Sequence, residues 1–539
     1  MSKNLFIILI KVFLSICSGI LLIFAFPPFN LSGLAFIGLV PLLIVLKIEE
    51  NLLKNLIFSF LTGIIFFGGL LFWIAGIKIY QVPQWMLVIG WILITLVLGS
   101  FIGIFGAIVK FLDTKINFLK VLFPPFIWVS IEFIRSVFPF GGFTWGILGY
   151  SQYQNLMFIQ IVDIVGVFGI SFLILLVNSA IVTVFLRIGQ LSEIKLKRLK
   201  STKEYPLQTS ISHYFRIPWA LHFCLLIIVA CYIYGFIAMQ KELPLPDLKV
   251  AIIQSNIGIE ESWDWDVKKE EILQMLVRLT KQAAVEQPSL TIWTETAILS
   301  SPNLSDSLRN RLSSLAKEMR TNLLVGAPYI RFKKTNTEYY NSAFLFSDTG
   351  EIIDRYDKIH LVPYGEMLPL EDIFPIVRKL IPHAGYYSPG NKLTVFQKPV
   401  RFNVLICFEG IFGNLTRKFV KNGAQFIINI TNDAWSKTAA AYYQHFSIAI
   451  FRAVENKTYF LRAGNTGISA IITPYGHIQE ILKIGKEGVI ISQISPMSKR
   501  TFYTRYGDIF ASVCLMISLL LTIQAGIRKE RSKSSKDMT

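Results

Sequence analysis

Eight stretches of this chain are apolar for long enough to cross a bilayer, and they constrain its fold before anything else does. A crossing helix needs about 18 or more residues with few charges. The windows at about 5–24, 29–46, 55–77, 84–109, 119–138, 157–186, 217–238 and 508–526 meet that test. The fifth is interrupted by Glu132 and Arg135 and bends at Pro124-Pro125. The first is expected to be retained: no small-residue cleavage site follows it, only Ala25-Phe-Pro-Pro-Phe-Asn30, and a second apolar window comes at once.

Basic residues then set the orientation. With the N-terminus inside, the cytoplasmic links carry Lys47 and Lys54; Lys110, Lys115 and Lys120; Lys195, Lys197, Arg198, Lys200 and Lys203; and the tail from Arg528. The links on the other side offer only Lys78 and Arg135. This asymmetry is the positive-inside pattern. It places residues 239–507 outside the cytoplasm and both termini within it. Much of the net charge of +18 lies beside the apolar windows, where orientation and anionic headgroups account for it. No zinc-finger spacing, helix-turn-helix or aromatic RNA-binding motif accompanies it, so a nucleic-acid partner is not expected.

The expected organisation is a seven-span region over 1–238, an outer domain over 239–507, a last span at 508–526 and a basic tail at 527–539. Within the aromatic loop Phe138-Pro-Phe-Gly-Gly-Phe-Thr-Trp145, Trp145, with Tyr150 just beyond it, is expected to anchor at the headgroup belt. The outer domain reads as layered α/β of roughly 260 residues. Strands are expected at 249–254, 290–293, 322–326, 340–346, 352–356, 402–406, 426–430, 466–472 and 488–494, with helices over 267–285 and 303–320.

Of five cysteines, only Cys407 lies in this polar half, at the end of the apolar run in Arg401-Phe-Asn-Val-Leu-Ile-Cys-Phe-Glu-Gly410. It has no internal disulfide partner there. A thiol nucleophile must lose its proton to attack. Glu295 directly follows the strand-like Leu290-Thr-Ile-Trp293, at a strand end where α/β sheets place their sites. Shielding by Trp293 would raise its pKa towards that of a working base. Lys358 is suited to an oxyanion. Taken singly, each has an ordinary reading as a buried thiol, a helix cap or a surface charge. His360, His383, His445 and His477 stand in no local arrangement that singles one out, and no metal site or cofactor is suggested.

The ordered set Gln254-Ser-Asn256, Ile292-Trp-Thr-Glu-Thr-Ala-Ile298, Tyr356-Asp-Lys-Ile-His-Leu-Val-Pro-Tyr-Gly-Glu366, Ile406-Cys-Phe-Glu409, Thr431-Asn-Asp-Ala-Trp435 and Arg462-Ala-Gly-Asn-Thr-Gly-Ile468 is more specific. It resembles the nitrilase-like (carbon–nitrogen hydrolase) superfamily. Over residues 1–526, spans included, the chain resembles the apolipoprotein N-acyltransferase family. The resemblance implies a polytopic α-helical membrane bundle of eight spans carrying an extracytoplasmic α-β-β-α nitrilase-like sandwich, in a bacterial inner membrane. It implies Glu295 as general base, Lys358 as the oxyanion-side lysine and Cys407 as the acylated nucleophile. Glu366 matches a further carboxylate near the triad, and Glu409 one just beyond the cysteine. Trp263 matches the substrate-side tryptophan, with Trp265 competing for that role, and Trp435 the aromatic of the Asn-Asp-Ala-Trp motif. Two departures stand out: Phe408 where close relatives often have tyrosine, and Ser436-Lys437 in place of a frequent phenylalanine–glycine pair.

The implied reaction is ping-pong acyl transfer by a monomer. A membrane phospholipid donates its chain to Cys407, and the α-amino group of an N-terminal diacylglyceryl-cysteine on an apolipoprotein accepts it. One rival is a membrane-tethered amidase or nitrilase using the same triad. The other is a transporter with a solute-binding outer domain, disfavoured by the scarcity of charge inside the second, third and fourth windows.

Overall fold

The computed structural model describes residues 3–78, 82–113, 121–199, 219–258, 264–334, 336–369, 371, 373, 375, 378–379, 385–436 and 438–537. Six of its helices are long and apolar enough to cross a membrane: Asn4–Ala25, Leu52–Leu70, Gln84–Asp113, Val162–Arg187, Leu221–Met239 and Ile509–Ile527. The expectation of eight such helices is therefore corrected to six among the described residues.

Local chemistry explains the two shortfalls. The window at 29–46 breaks into the turn Ser32–Leu34 and the short helices Ala35–Gly38 and Val40–Ile48. Pro41 sits in the first turn of the second helix and has no N–H to continue the earlier ladder. The break is satisfied from outside: the buried Asn178 accepts from Leu39 N at 2.9 Å and donates to Ala35 O at 2.9 Å. The window at 119–138 yields only Phe123–Arg135, 13 residues, or about 20 Å against a hydrocarbon core of about 30 Å. Pro124-Pro125 occupy its first turn. Its polar residues bind the loop beyond: Glu132 accepts from Leu148 N at 2.7 Å, and Arg135 donates to Phe143 O and Trp145 O, each at 2.7 Å.

One end of this bundle is pinned by ion pairs, Lys11–Glu49 at 2.8 Å, Lys110–Glu50 at 3.4 Å and Lys47–Asp113. Lys115, Lys120, Lys200 and Lys203 lie outside the described residues, as do the side chains of Lys195, Lys197, Arg198 and the tail from Arg528. The other end meets the second domain through Pro27, Leu70, Trp73, Lys78, Thr144 and Trp145.

That second domain is a two-sheet sandwich. Its strands are β1 Leu248–Gln254, β2 Leu290–Ile292, β3 Asn322–Phe332, β4 Thr337–Phe346, β5 Ile352–Asp357, β6 Asn403–Ile406, β7 Phe426–Thr431, β8 Tyr459–Gly464, β9 Ser469–Ile472, β10 Ile478–Leu482 and β11 Gly488–Ile494. One sheet runs β11-β1-β2-β3-β4-β5 and the other β10-β9-β8-β7-β6. Alternation along β1 builds the layers. Val250 and Ile252 join the core shared with Val404 and Ile428 of the facing sheet. Ala251 and Ile253 point the other way, against Ile272, Leu276 and Leu279 of helix Trp265–Ala284 and Leu312 and Leu315 of helix Asp306–Glu318. Helices Gly413–Lys421 and Ala439–Asn456 cover the opposite sheet.

The expected strands appear with shifted ends, the eighth trimmed to β9. Strands β8 and β10 and helix Ala439–Asn456 were not anticipated. That helix is buried on nearly every side from Ala441 to Asn456, which erases the one-sided period that betrays a surface helix.

Because Asn178 holds the broken helix, Asn178→Leu leaves Leu39 N–H and Ala35 C=O without that partner. Each buried group left unpaired costs about 1–3 kcal/mol, so the unfolding midpoint in detergent is expected to fall. An unchanged midpoint contradicts the role.

Candidate active site

Three strand ends from the two sheets converge on one buried point. Glu295 follows β2, Lys358 directly follows β5, and Cys407 directly follows β6. Lys358, 1% exposed, lies 2.9 Å from Glu366 and 3.5 Å from Glu295. Asn341 of β4 bridges the two acids, donating to Glu295 Oε1 at 2.8 Å and Glu366 Oε1 at 2.9 Å. The remaining oxygens are held by backbone: Asn432 N donates to Glu295 Oε2 at 2.7 Å, and Val362 N to Glu366 Oε2 at 2.9 Å.

Cys407 begins a 3-10 turn, Cys407–Ile411, in the left-handed region at φ 50°. That conformation costs a non-glycine residue roughly 1–2 kcal/mol, so it persists because its surroundings hold it. Asn429 Nδ2 donates to Leu405 O at 3.1 Å and Cys407 O at 3.2 Å. Glu409 does more. Its Oε2 accepts from Ile406 N at 2.8 Å; its Oε1 accepts from Tyr356 Oη and Ile359 N at 2.8 Å and His360 N at 3.0 Å. Glu409 thus ties the cysteine turn to the strand end that carries Lys358. Behind the turn, Arg462 donates to Asn429 Oδ1 at 2.8 Å and Asp433 Oδ2 at 2.7 Å, and His445 Nδ1 lies 3.2 Å from Asp433.

The electrostatics follow from burial and these neighbours. Burial pushes the Cys407 thiol well up, the Glu295 carboxylate pushes it further, and Lys358 only partly opposes them. Burial likewise raises Glu295, against the pull of Lys358. Burial alone lowers Lys358, but Glu366 and Glu295 outweigh it and hold the ammonium above its ordinary value. Burial would raise Asp433, yet Arg462 and His445 keep it low. Burial and Arg462 lower His445. The site therefore presents a protonated thiol, a fixed cation and a carboxylate whose proton affinity is raised. That set can accept a thiol proton and stabilise an oxyanion beside it.

Glu295, Lys358, Cys407 and Glu366 come together, and Glu409 lies behind them, filled by its four donors. Phe408 is half-buried, edge-on to Phe412 at 5.1 Å. Trp435 packs on Trp73 at 5.3 Å, its carbonyl accepting from Lys78 N at 3.1 Å. Trp263 and Lys437 lie outside the described residues, whereas Ser436 is buried. Trp265 donates to Ser300 Oγ at 3.1 Å and lines a hollow with Thr294, Thr296 and Asn432. The headgroup-belt expectation for Trp145 and Tyr150 is corrected. Both are buried, Trp145 bonded to Gln444 and Tyr150 to Arg452. The sequence reading passed over Asn341 and Asn429 and gave Arg462, the first residue of a quoted motif, no role of its own. Asn429 and Arg462 each interrupt an apolar run, the one signal that could have marked them, and Asn341 lies in a strand too polar to show it.

Gly326 of β3 lets the Glu295 turn approach closely. A Cβ there would stand 2.2 Å from Thr294 O and 2.9 Å from Glu295 Cα. Gly326→Ala must displace the carboxylate, and misplacement on the order of 1 Å costs about 100-fold. Alkylation of Cys407 by iodoacetamide, followed by mass spectrometry, is expected to slow at least about tenfold. A parental rate contradicts this placement.

Comparison with known proteins agrees with the two-part architecture. A model of the apolipoprotein N-acyltransferase N-terminal domain matches residues 18–180, and one of carbon-nitrogen hydrolase matches 249–502. An apolipoprotein N-acyltransferase from Geobacter metallireducens is 36% identical, covering 96% of this chain and 95% of its own. Apolipoprotein N-acyltransferase 2 from Treponema denticola is 30% identical over 78% of this chain and 79% of its own, and an apolipoprotein N-acyltransferase from Wigglesworthia glossinidia brevipalpis is 29% identical over 96% and 99%. The chain is thus an enzyme of the nitrilase superfamily and belongs to the apolipoprotein N-acyltransferase family.

Proposed function

We propose that the protein transfers a fatty acyl chain from a membrane phospholipid, through a Cys407 thioester, to the α-amino group of an N-terminal diacylglyceryl-cysteine on an apolipoprotein. The observation that carries this reading is a buried free thiol gathered with Glu295 and Lys358, at the start of a turn whose far end bonds to the membrane-side loop at Thr144.

Glu295 takes the Cys407 proton as sulfur attacks the ester carbonyl of the lipid. Lys358 stabilises the oxyanion, and Glu295 returns the proton to the departing lysophospholipid oxygen. The acceptor amine then attacks the thioester carbonyl, Glu295 takes the amine proton, and that proton goes back to the sulfur as the amide forms. Glu366 and Asn341 orient Lys358 and Glu295, and Glu409 fixes the cysteine turn. Trp435, packed on Trp73, which in turn packs on Trp145, is assigned to the acyl-chain wall. Trp263 is assigned a substrate-side role by family resemblance. Long chains are costly to expose, about 0.8 kcal/mol per CH₂, so a thiol at the outer headgroup level keeps them in apolar surroundings.

The same reading has the chain traverse the bilayer eight times, with Ser32–Ile48 and Phe123–Arg135 as short crossings, both termini cytoplasmic and the sandwich in the periplasm of a bacterial inner membrane. Supporting it, the segments after the first, third and fifth apolar windows (Pro27, Lys78, Thr144) all bond to the sandwich domain, while Lys47, Lys110 and Glu49 gather at the other end. The rival hydrolase would release free acid instead of loading an amine.

Incubating the purified protein with phospholipid should add one acyl mass at Cys407, and a diacylated lipopeptide should discharge it; Cys407→Ala should form no adduct. Free acid with no amide product would select the hydrolase. The pH dependence has a definite sign. A protonated Glu295 cannot accept the thiol proton, so acylation is lost as pH falls through its raised pKa. The acid limb should lie above the ordinary glutamate value of about 4.3 and vanish with the activity in Glu295→Gln. A limb at or below that value contradicts the assignment of the base.

A further inference from the structure

Gln444 does not belong to the proposed triad, yet among the described residues its side-chain amide is the most heavily shared polar group between the two halves. It lies 4% exposed in helix Ala439–Asn456. Its Oε1 accepts from Trp73 Nε1 at 3.0 Å and Trp145 Nε1 at 2.8 Å. Its Nε2 donates to Pro27 O at 3.0 Å and Leu70 O at 3.1 Å. An amide offers two donors and two acceptor positions, and all four are used on three separate segments of the membrane-side region.

Those segments reach the site. Trp73 packs on Trp145 at 5.2 Å and on Trp435 at 5.3 Å. Trp145 lies against His445 at 5.5 Å, and His445 meets Asp433, the neighbour of Asn432 whose N–H holds Glu295. We infer that Gln444 is a positioning residue that clamps the Trp73–Trp145–Trp435 wall against His445, and so sets reactivity towards long-chain donors without setting that of the thiol itself. The nucleophile turn is held mainly from within the sandwich, by Glu409, Asn429 and the bond from Arg452 to Ile411 O at 3.0 Å, with one further bond to that carbonyl from Thr144 of the membrane-side loop. No other side chain bonds both indoles among the described residues.

This rests on the acyl-transfer reading, so the test carries one readout that does not. Gln444→Met fills similar space without hydrogen bonds, and Gln444→Glu keeps an acceptor for both indoles. The full-length proteins in detergent are compared by acylation from phospholipid micelles, by iodoacetamide alkylation at Cys407, and by hydrogen exchange of peptides covering 25–31 and 69–76. For Gln444→Met the expected result is acylation slowed at least about tenfold, equivalent to about 1.4 kcal/mol, alkylation within about twofold of the parent, and faster exchange in both peptides. Gln444→Glu is expected to fall between. Parental acylation, or alkylation slowed as much as acylation, overturns the inference. If the parent itself forms no acyl adduct, the acyl-transfer reading fails, and the exchange result alone decides the clamp: parental exchange in Gln444→Met overturns it.

Discussion

A lysine ammonium buried between two carboxylates governs this domain. Desolvating three ionisable groups is costly, and only close mutual geometry repays it. Lys358 cannot neutralise both acids, so the two divide unequally. Glu366 is the nearer, at 2.9 Å, and is closed off by Val362 N–H and Asn341. Glu295 is the farther, at 3.5 Å, and burial raises its affinity for a proton. The same residue type thus takes two roles by position alone: one acid anchors the cation while the other can exchange a proton with sulfur. Separation of roles by environment is the general route by which two carboxyls share one site.

That requirement explains the architecture around it. No single sheet brings Glu295, Lys358 and Cys407 together, because β2 and β5 belong to one sheet and β6 to the other. Two stacked sheets let strand ends meet across the sandwich, provided the turns beyond them bend sharply. Cys407 and Thr296 accordingly both adopt positive φ, 50° and 44°, and for a β-branched threonine that is an outlier. Strain of this kind persists only where surrounding bonds over-determine it. Glu409 and Asn429 hold one turn, and the glycine at 326 admits the other.

What the sequence disclosed follows the range of the interactions. Glu295 and Cys407 each stand where an apolar run meets a polar turn, a local signal, whereas Lys358 follows the polar Asp354-Arg-Tyr-Asp357 and stood out only within the ordered set of motifs. Asn341 was not: its function is to join Glu295 to Glu366, 46 and 25 residues away. Gln444 was less so, since its partners lie 299 to 417 residues distant. The apolar windows were read correctly as hydrophobic, but hydropathy does not register where Pro41 breaks a ladder or where Glu132 and Arg135 turn back to bind a loop. Trp145 and Tyr150 had the composition of a headgroup belt and the environment of a core. In both cases a polar tip found a protein partner, where the composition had suggested lipid headgroups.

The membrane-side region therefore bonds directly to the elements that hold the cysteine turn. Ile411 O, at the end of the cysteine turn, accepts from Thr144 of a membrane-side loop and from Arg452 of the sandwich, each at 3.0 Å. Separating the halves would strip the first of these bonds and expose the four groups that Gln444 satisfies. A triad of this kind serves any acyl carbonyl that reaches it. On the proposed reaction, water is the competing nucleophile, and a thioester outlasts it only in a dry, apolar chamber. On that same proposal the sandwich supplies the chemistry, and the wall of Trp73, Trp145 and Trp435 supplies the selection. Such a division would let a hydrolase-type site carry out the proposed transfer between lipids with no new catalytic group.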